Sequence, residues 1–260
     1  MNLVLDDRGL TFDWLAAAES YFEQQRIFLD YPNKIAGVIR EGERVHIPLH
    51  VKVERYANMA RGRFISAGAF SYCRSANMPH DFQLGRYCSV GPSAMLGYQE
   101  HPIDRVSTHP FTTHAHMARM ARDEFGTKIR QQPHVFSAPA PEIGSDVWIG
   151  AQSILKRGIK IGHGAVIATR AFVAKDVPPY AVVGGLPARV IKYRFDETTI
   201  ERLLTLQWWD YNFADFADLD TANVPDFISA LEDRISSGGI SPMDNEPIAL
   251  AVALHDHLTG

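Results

Sequence analysis

The clearest pattern in the chain is an aliphatic residue at every sixth position between residues 143 and 178. In five of the six units a Gly or Ala follows the aliphatic residue, and Lys156 is the exception. This period fits neither an α-helix, which repeats about every 3.6 residues, nor a simple strand, which repeats about every 2. The aliphatic residues that open the units are Ile143, Ile149, Leu155, Ile161, Ile167 and Val173.

A period of six predicts a coil with three flat sides. Each unit would form a short strand and a corner, with the aliphatic side chain pointing inward and three units closing one turn. The small residue that follows is expected to allow the tight corner. Because a single turn cannot cover its own inner face, the turns must stack and bury a continuous apolar column.

The same pattern occurs earlier in the chain, at Leu84, Val90 and Leu96. The two blocks are out of phase, since Leu84 and Ile143 are 59 positions apart, which is not a multiple of six. We therefore expect residues 98–141 to leave the coil as a long excursion loop. Loops longer than about 15 residues are usually functional or disordered.

Helical periodicity flanks the coil on both sides. Residues 11–30 predict an amphipathic helix capped by Thr11, and residues 34–58 contain short strand-like pieces such as Val45–Val53. After residue 194 a helix is expected from the region of Asp196, and a second one from Pro225 to about Ile235. Residues 236–260 open with SSGGISP and predict a loose tail, in which the apolar stretch 248–254 could dock.

These patterns divide the chain into four parts. Residues 1–58 form a helical and mixed N-terminal cap, and residues 59–194 form the coil domain with its excursion loop, 98–141. Residues 195–235 form C-terminal helices, and residues 236–260 form a flexible tail.

Composition narrows the classes of protein. The chain is 46% hydrophobic and 22% charged, which is ordinary for a globular protein, and its net charge of −4 argues against a nucleic-acid partner. Cys73 and Cys88 could form one bridge but do not make a disulfide framework. Because we find neither a secretory leader nor an apolar run of about 18 residues, we expect a cytoplasmic protein without a membrane span.

Five stretches, in this order, resemble the xenobiotic acetyltransferases of the hexapeptide-repeat group, which include streptogramin and chloramphenicol acetyltransferases. The resemblance extends from about Phe64 to Trp209. It implies an all-β core that is a left-handed parallel β-helix, an exception to the right-handed crossover rule. It also implies a homotrimer that binds acetyl-CoA between neighbouring coils. The stretches are LGRYCSVGPSAM, EHPIDRVSTHPF, DVWIG, KDVPPYAVVGGLPARVIKYRF and ERLLTLQWWD.

The resemblance also implies the acceptor-side residues. The catalytic histidine of the family stands before an STxPF-like segment, which makes it His101 here, and imidazole suits a general base near neutral pH. Asp104 matches the acidic position that follows and is expected to hold the imidazole in one tautomer; the alternative is a solvated loop carboxylate. Trp148 and Phe111 are expected to line the acceptor pocket, although Trp148 could instead pack on a neighbouring coil.

On the donor side, the charge that develops on the thioester oxygen needs a hydrogen-bond donor, and the backbone N–H groups of Gly150 and Ala168 are candidates. By resemblance, Lys175, Arg189 and Lys192 are expected near the phosphates of CoA, with a solvated charged face as the alternative. Arg170 departs from the small residue that is usual in the family, so its contact with CoA stays open.

The expected function is acetyl transfer from acetyl-CoA to a hydroxyl or amine. We favour a sugar or a nucleotide-linked amino sugar as the acceptor, because the N-terminal extension and residues 236–260 exceed the compact antibiotic enzymes. A streptogramin or chloramphenicol acceptor is the alternative, and a binding scaffold without catalysis is another class. An enzyme like the zinc-dependent gamma-type carbonic anhydrases is a distant alternative. Such a site needs three imidazoles, and only His163 lies in the regular repeat, so no metal is expected.

Overall fold

The computed structural model describes residues 3–60, 63–97, 100–132, 134 and 138–260. It divides into two compact units. The main unit comprises Met1–Leu96 and Ala140–Gly260, and the excursion unit comprises Gly97–Pro139. The bounds of the excursion unit nearly coincide with those of the predicted loop, 98–141, although residue 98 itself is outside the described residues.

The N-terminal part is a three-stranded antiparallel sheet with one helix. Its strands are β1 (Val4–Asp6), β2 (Gly9–Asp13) and β3 (Arg44–Pro48), and helix α1 (Ala16–Gln25) connects β2 to β3. The predicted helix over residues 11–30 is too long, because Leu10 and Phe12 alternate inward as strand residues and are fully buried. Thr11 is not a helix cap, since its hydroxyl lies 2.9 Å from His46 Nδ1 across the sheet.

Two-residue strands build the coil, and after the excursion they recur every six residues. The early strands are β4 (Lys52–Val53), β5 (Ser66–Ala67), β6 (Tyr72–Cys73), β7 (Gln83–Leu84), β8 (Ser89–Val90) and β9 (Met95–Leu96). The strands after the excursion are β10 (Glu142–Ile143), β11 (Trp148–Ile149), β12 (Ile154–Leu155), β13 (Lys160–Ile161), β14 (Val166–Ile167) and β15 (Phe172–Val173). A hairpin of β16 (Ala181–Gly185) and β17 (Ala188–Tyr193) ends the coil.

The strand pairing shows that the chain visits three sheets in turn. Trp148 pairs in parallel with Val166, and Ile154 pairs in parallel with Phe172, so each strand meets the one that lies 18 positions later. One sheet has the order β17-β16-β14-β11-β8-β6 and another β15-β12-β9. On the third side, β4, β5 and β7 form one parallel ladder and β10 and β13 form another. Three hexapeptides therefore make one turn, as the repeat predicts.

The aliphatic residue of each unit fills the inside of the coil, and Ile149, Leu155 and Ile167 are fully buried. The small residue after it has a different role from the expected one. The left-handed corner conformation occurs two positions later, for example at Gln152 (φ 58°). Glycine is needed at the first position because the next turn passes close by: a Cβ on Gly150 would lie 2.6 Å from the backbone oxygen of Ile167.

The C-terminal helices are α3 (Glu197–Leu206) and α4 (Val224–Ser236), the latter close to its predicted range. The Asp196 carboxylate caps α3 by accepting a hydrogen bond from the backbone N–H of Thr199 at 2.9 Å. The helices share a second apolar core with the end of the coil, in which Tyr180, Trp209 and Leu231 are buried. Of the described helices, none combines the length and the apolar character that a transmembrane segment requires.

Residues 248–259 form a strand and a helix, so the expectation of a flexible tail over 236–260 is wrong for this part. Strand β18 (Ile248–Ala249) pairs antiparallel with β4, and helix α5 (Leu250–Thr259) follows it directly. Leu250, Ala251 and Leu254 are fully buried in the main core. The apolar stretch 248–254 docks because β4 offers a strand edge and because α1 and β2 offer an apolar surface beside it.

Candidate active site

His101 lies in the excursion unit with an exposed side chain, and its Nδ1 atom is 2.7 Å from the backbone oxygen of Thr108. A carbonyl oxygen can only accept a hydrogen bond, so this contact assigns the proton of the neutral ring to Nδ1. The Nε2 atom then carries the lone pair, which is the arrangement that a general base requires.

Asp104 does not take the role that the resemblance implies. Its carboxylate accepts a hydrogen bond from Arg105 Nε at 3.1 Å, and this contact lowers the pKa of Asp104 below its ordinary value. The group that accepts a hydrogen bond from the imidazole is instead the carbonyl of Thr108, seven residues after His101. Sequence reasoning misses such an acceptor because every residue has a carbonyl group, so no residue type signals it.

Phe111 belongs to the same unit and is 40% exposed. It lies in a short 3-10 helix, Pro110–Thr112, whose first turn is capped by His109: the ring Nδ1 accepts a hydrogen bond from the backbone N–H of Phe111 at 3.2 Å. Helix α2 (Ala115–Phe125) follows and ends at Gly126, which has a left-handed φ of 62°. Phe111 is thus an accessible aromatic side chain on a short ordered turn.

Trp148 projects from β11 in the main unit. Its neighbours Val147 and Ile149 are buried, whereas Trp148 is 55% exposed, so the period of two directs the indole away from the core. In the sheet it stands between Ser89 and Val166. An exposed indole in this position is available to a ligand or to another protein surface, and both interpretations of Trp148 stay open.

The corner before Trp148 is held by a partly buried ion pair. Asp146 Oδ2 accepts a hydrogen bond from Arg194 Nη1 at 2.7 Å, and the same nitrogen donates to the Gly164 oxygen at 2.8 Å. Burial raises the pKa of Asp146, and this effect exceeds the lowering by the charge of Arg194. The acidic residue of DVWIG therefore joins the coil to the segment that follows β17.

The proposed oxyanion donors are already engaged in the coil. The backbone N–H of Gly150 donates to Ile167 at 2.8 Å, and that of Ala168 donates to Val183 at 2.8 Å. Both bonds belong to the ladder between successive turns, so neither group can point at a thioester oxygen without breaking the ladder. The structure contradicts this part of the prediction, because the repeat that makes the residues small also uses their N–H groups.

The expected CoA-binding cations are surface residues. Lys175, Arg189 and Lys192 are all exposed, and the last two lie on β17. Arg189 Nη1 donates to the neighbouring Ala188 oxygen at 2.9 Å. Arg170 differs from them, because its Nε donates to Gln152 Oε1 at 2.7 Å at the corresponding corner of the preceding turn.

The histidine of the regular repeat serves packing. His163 Nδ1 accepts a hydrogen bond from the backbone N–H of Ser145 at 2.9 Å, and its ring stacks on Trp209 at 4.4 Å between centroids. Burial lowers the pKa of His163. Within the described ranges, His, Cys, Asp and Glu side chains form no group of three or more that could hold a metal ion.

Comparison with known proteins fixes the family. A chloramphenicol acetyltransferase from Escherichia coli is 39% identical over 177 residues, which cover 65% of this chain and 79% of the relative. The chain belongs to the hexapeptide-repeat xenobiotic acetyltransferases. This confirms the resemblance found in the five sequence stretches, and it makes the protein an acyltransferase.

Other acetyltransferases of the group match over shorter lengths. The "Probable macrolide acetyltransferase" of Lysinibacillus sphaericus is 34% identical, with 52% of this chain and 72% of the relative covered. The virginiamycin A acetyltransferase of Staphylococcus aureus is 40% identical, with 49% and 55% covered. The chain likewise spans only 59% of the length of three further chloramphenicol acetyltransferases, from Agrobacterium fabrum, Klebsiella aerogenes and Morganella morganii.

Among solved structures, a hexapeptide-repeat acetyltransferase from Vibrio cholerae O1 biovar eltor, complexed with acetyl coenzyme A, is 24% identical. The match covers 54% of this chain and 66% of that chain, with a TM-score of 0.35. No family model matches the chain.

Proposed function

We propose that the protein transfers the acetyl group of acetyl-CoA to a hydroxyl group of an antibiotic, with His101 as the general base. The observation that carries the proposal is the 2.7 Å contact between His101 Nδ1 and the Thr108 oxygen, because it leaves Nε2 as the basic atom. An antibiotic acceptor replaces the sugar that we favoured from the sequence. The relatives reported above are named a chloramphenicol, a probable macrolide and a virginiamycin A acetyltransferase, so they support the alternative better.

In this proposal His101 Nε2 removes the proton of the acceptor hydroxyl while the hydroxyl oxygen attacks the carbonyl carbon of the thioester. The carbon–sulfur bond then breaks. The imidazolium of His101 returns the proton to the departing thiolate, so that an acetyl ester, free CoA and neutral His101 remain. General base catalysis of this kind typically contributes about 10²–10⁴-fold to the rate.

Several binding contacts belong to the proposal. Phe111 and Trp148 are proposed acceptor contacts, supported by the resemblance and by the exposure of both aromatic side chains. Lys175, Arg189 and Lys192 are proposed to contact the phosphates of CoA, supported by their charge and exposure. We also propose that the coil is left-handed and that the protein is a homotrimer, as the resemblance implies.

The test is a thiol-release assay with acetyl-CoA and a panel of chloramphenicol, virginiamycin, a macrolide and amino-sugar nucleotides. We expect turnover with at least one antibiotic. His101→Ala should lose about 10²–10⁴-fold in kcat while its affinity for CoA stays near that of the wild type. His116→Ala, in the same unit, is the matched control and should keep its activity. Turnover with amino-sugar nucleotides alone would reject the antibiotic acceptor, and an active His101→Ala variant would reject the base.

A further inference from the structure

We infer that Arg105 is a positioning residue that keeps His101 Nδ1 and the Thr108 oxygen within hydrogen-bonding distance. It does so by joining two arms of the excursion unit: the outgoing arm, residues 100–108, and the returning arm, residues 131, 132 and 134. The inference rests on the proposed function, because it takes His101 as the base. The described hydrogen bonds of Arg105 go to Asp104 and Gln132 and not to a ring nitrogen of His101, so Arg105 acts through the segment that carries His101 and Thr108.

Apart from Pro102, which is buried, apolar packing supplies little to the segment from His101 to Thr108, so the segment needs such a support. Ile103 is 90% exposed and Val106 is 95% exposed, so neither of these side chains anchors the segment. His101 and Thr108 are themselves exposed. A hydrogen bond between two exposed groups of a surface segment persists only if the backbone between them keeps its shape.

Arg105 is the long side chain of this segment that turns inward, with only 16% of it exposed. Its Nη1 donates to the backbone oxygen of Gln132 on the returning arm at 3.3 Å. A second, longer contact runs between the arms where His134 Nε2 lies 3.4 Å from the Glu100 oxygen. Arg105 therefore ties the middle of the His101–Thr108 segment to the opposite arm.

The returning arm is itself fixed to the turn that follows Thr108. The backbone N–H of Gln132 donates to the Thr112 oxygen at 3.0 Å. The side chain of Gln131 donates to the oxygens of Phe111 and His114 at 3.1 and 2.6 Å. The hydrogen bond from Arg105 to Gln132 thus connects the His101–Thr108 segment, through the returning arm, to the turn that follows Thr108.

Asp104 has an indirect role in this network of hydrogen bonds, through Arg105. Its carboxylate is 75% exposed and accepts the Nε proton of Arg105 at 3.1 Å, which orients the guanidinium while Nη1 bonds Gln132. The acidic residue that the resemblance placed on the imidazole therefore acts on the neighbouring arginine. If the tie is lost and the segment relaxes, the Thr108 carbonyl no longer fixes the Nδ1 proton. The proton can then move to Nε2, and that nitrogen no longer has a lone pair with which to accept the proton of the substrate hydroxyl.

The test compares Arg105→Met, Arg105→Lys and a matched control, Arg122→Met. Arg122 lies in the same unit and pairs with the adjacent Asp123 at 3.5 Å, but its side chain is 59% exposed. We expect kcat of Arg105→Met to fall about 10–100-fold, the range typical for lost positioning groups, with the KM for acetyl-CoA within about twofold of wild type. Arg105→Lys should recover part of the loss, and Arg122→Met should match the wild type.

The second readout is the tautomer of His101, followed by ¹⁵N NMR of protein labelled at histidine. The wild type should carry the neutral-ring proton on Nδ1, and Arg105→Met should show a mixture. Wild-type kcat and an unchanged Nδ1 tautomer in Arg105→Met would overturn the inference, as would a loss that Arg122→Met shares. Because the tautomer needs no substrate, this readout still decides the inference if every acceptor of the panel fails and the proposed function falls.

Discussion

Replacing Arg86 should destabilise the protein strongly, because its guanidinium neutralises a buried carboxylate. Arg86 Nε and Nη2 donate to the two oxygens of Glu54 at 2.8 and 2.9 Å, and Nη1 donates to Asp210 at 2.9 Å. The Glu54 side chain is only 10% exposed and also accepts the backbone N–H of Ala69 at 2.8 Å. The hydrogen bond to Glu54 is the main reason that the pKa of Arg86 is raised.

Arg86→Met keeps most of the stem and leaves the Glu54 charge buried without its partner. Breaking a buried pair from one side typically costs about 3–5 kcal/mol. We expect the lower end, about 3 kcal/mol, since Asp210 is 37% exposed and can be solvated. For a chain of this size that corresponds to a fall in Tm of about 6–12 °C, at about 2–4 °C per kcal/mol.

Urea unfolding measures this loss, and all variants are compared at one fixed protomer concentration so that any contribution from oligomer dissociation is evaluated at the same concentration. Arg8→Met is the control: Arg8 pairs with Asp6, its side chain is 81% exposed, and its removal should cost less than about 1 kcal/mol. Adding Glu54→Gln to Arg86→Met should restore part of the stability, because it removes the unpaired charge and keeps an acceptor for Ala69. An Arg86→Met cost below about 1 kcal/mol, or a double variant no more stable than the single one, would refute the reasoning.

Two further outcomes are expected. Because burial lowers the pKa of His163 from its ordinary 6.5, the contribution of His163 to stability should be complete above pH 6.5 and should be lost progressively as the pH falls below that value. Urea unfolding at pH 7 and pH 5 should show a smaller loss in His163→Gln, and equal losses would contradict this. Leu254→Ala should cost about 2–5 kcal/mol in the same assay, since Leu254 is fully buried; a negligible cost would return the last residues to a tail.

The repeat predicts the coil well because its signal is local and periodic. Each inward position needs an aliphatic side chain, and Ile149, Leu155 and Ile161 occupy consecutive sides of the coil with at most 2% exposure. The reason for the small residues is harder to predict, since it depends on the next turn. Gly150 is required by the backbone of residues 167–169, which a single hexapeptide does not contain. The same ladder removes its N–H from the candidate site.

Contacts between distant parts of the chain explain the remaining errors. The amino-acid sequence of residues 236–260 does not indicate that Ile248 pairs with Val53, because a two-residue strand is too short to show a hydrophobic period. The helix predicted over residues 11–30 begins too early for a related reason. Leu10 and Phe12 alternate as in a strand, but two residues are too few to outweigh the helical stripe that follows them, and the pairing of β2 with β3 decides the conformation.

The motif around Thr108 shows why the resemblance could suggest His101 as the proposed base but not the group that its Nδ1 contacts in the structure. A resemblance compares side chains, whereas the acceptor on His101 is a backbone oxygen, so Thr108→Ala would retain it. What the letters of STHPF specify is the path of the backbone. Pro110 disfavours helical conformations of the residue before it, and His109 is accordingly extended, with φ −70° and ψ 147°. That extended residue follows the peptide group that carries the Thr108 oxygen and so limits its direction. If His101 is the base, as we propose, Pro110 and the capping His109 influence it only through backbone geometry, and substitutions at these positions should appear as changes in the behaviour of His101.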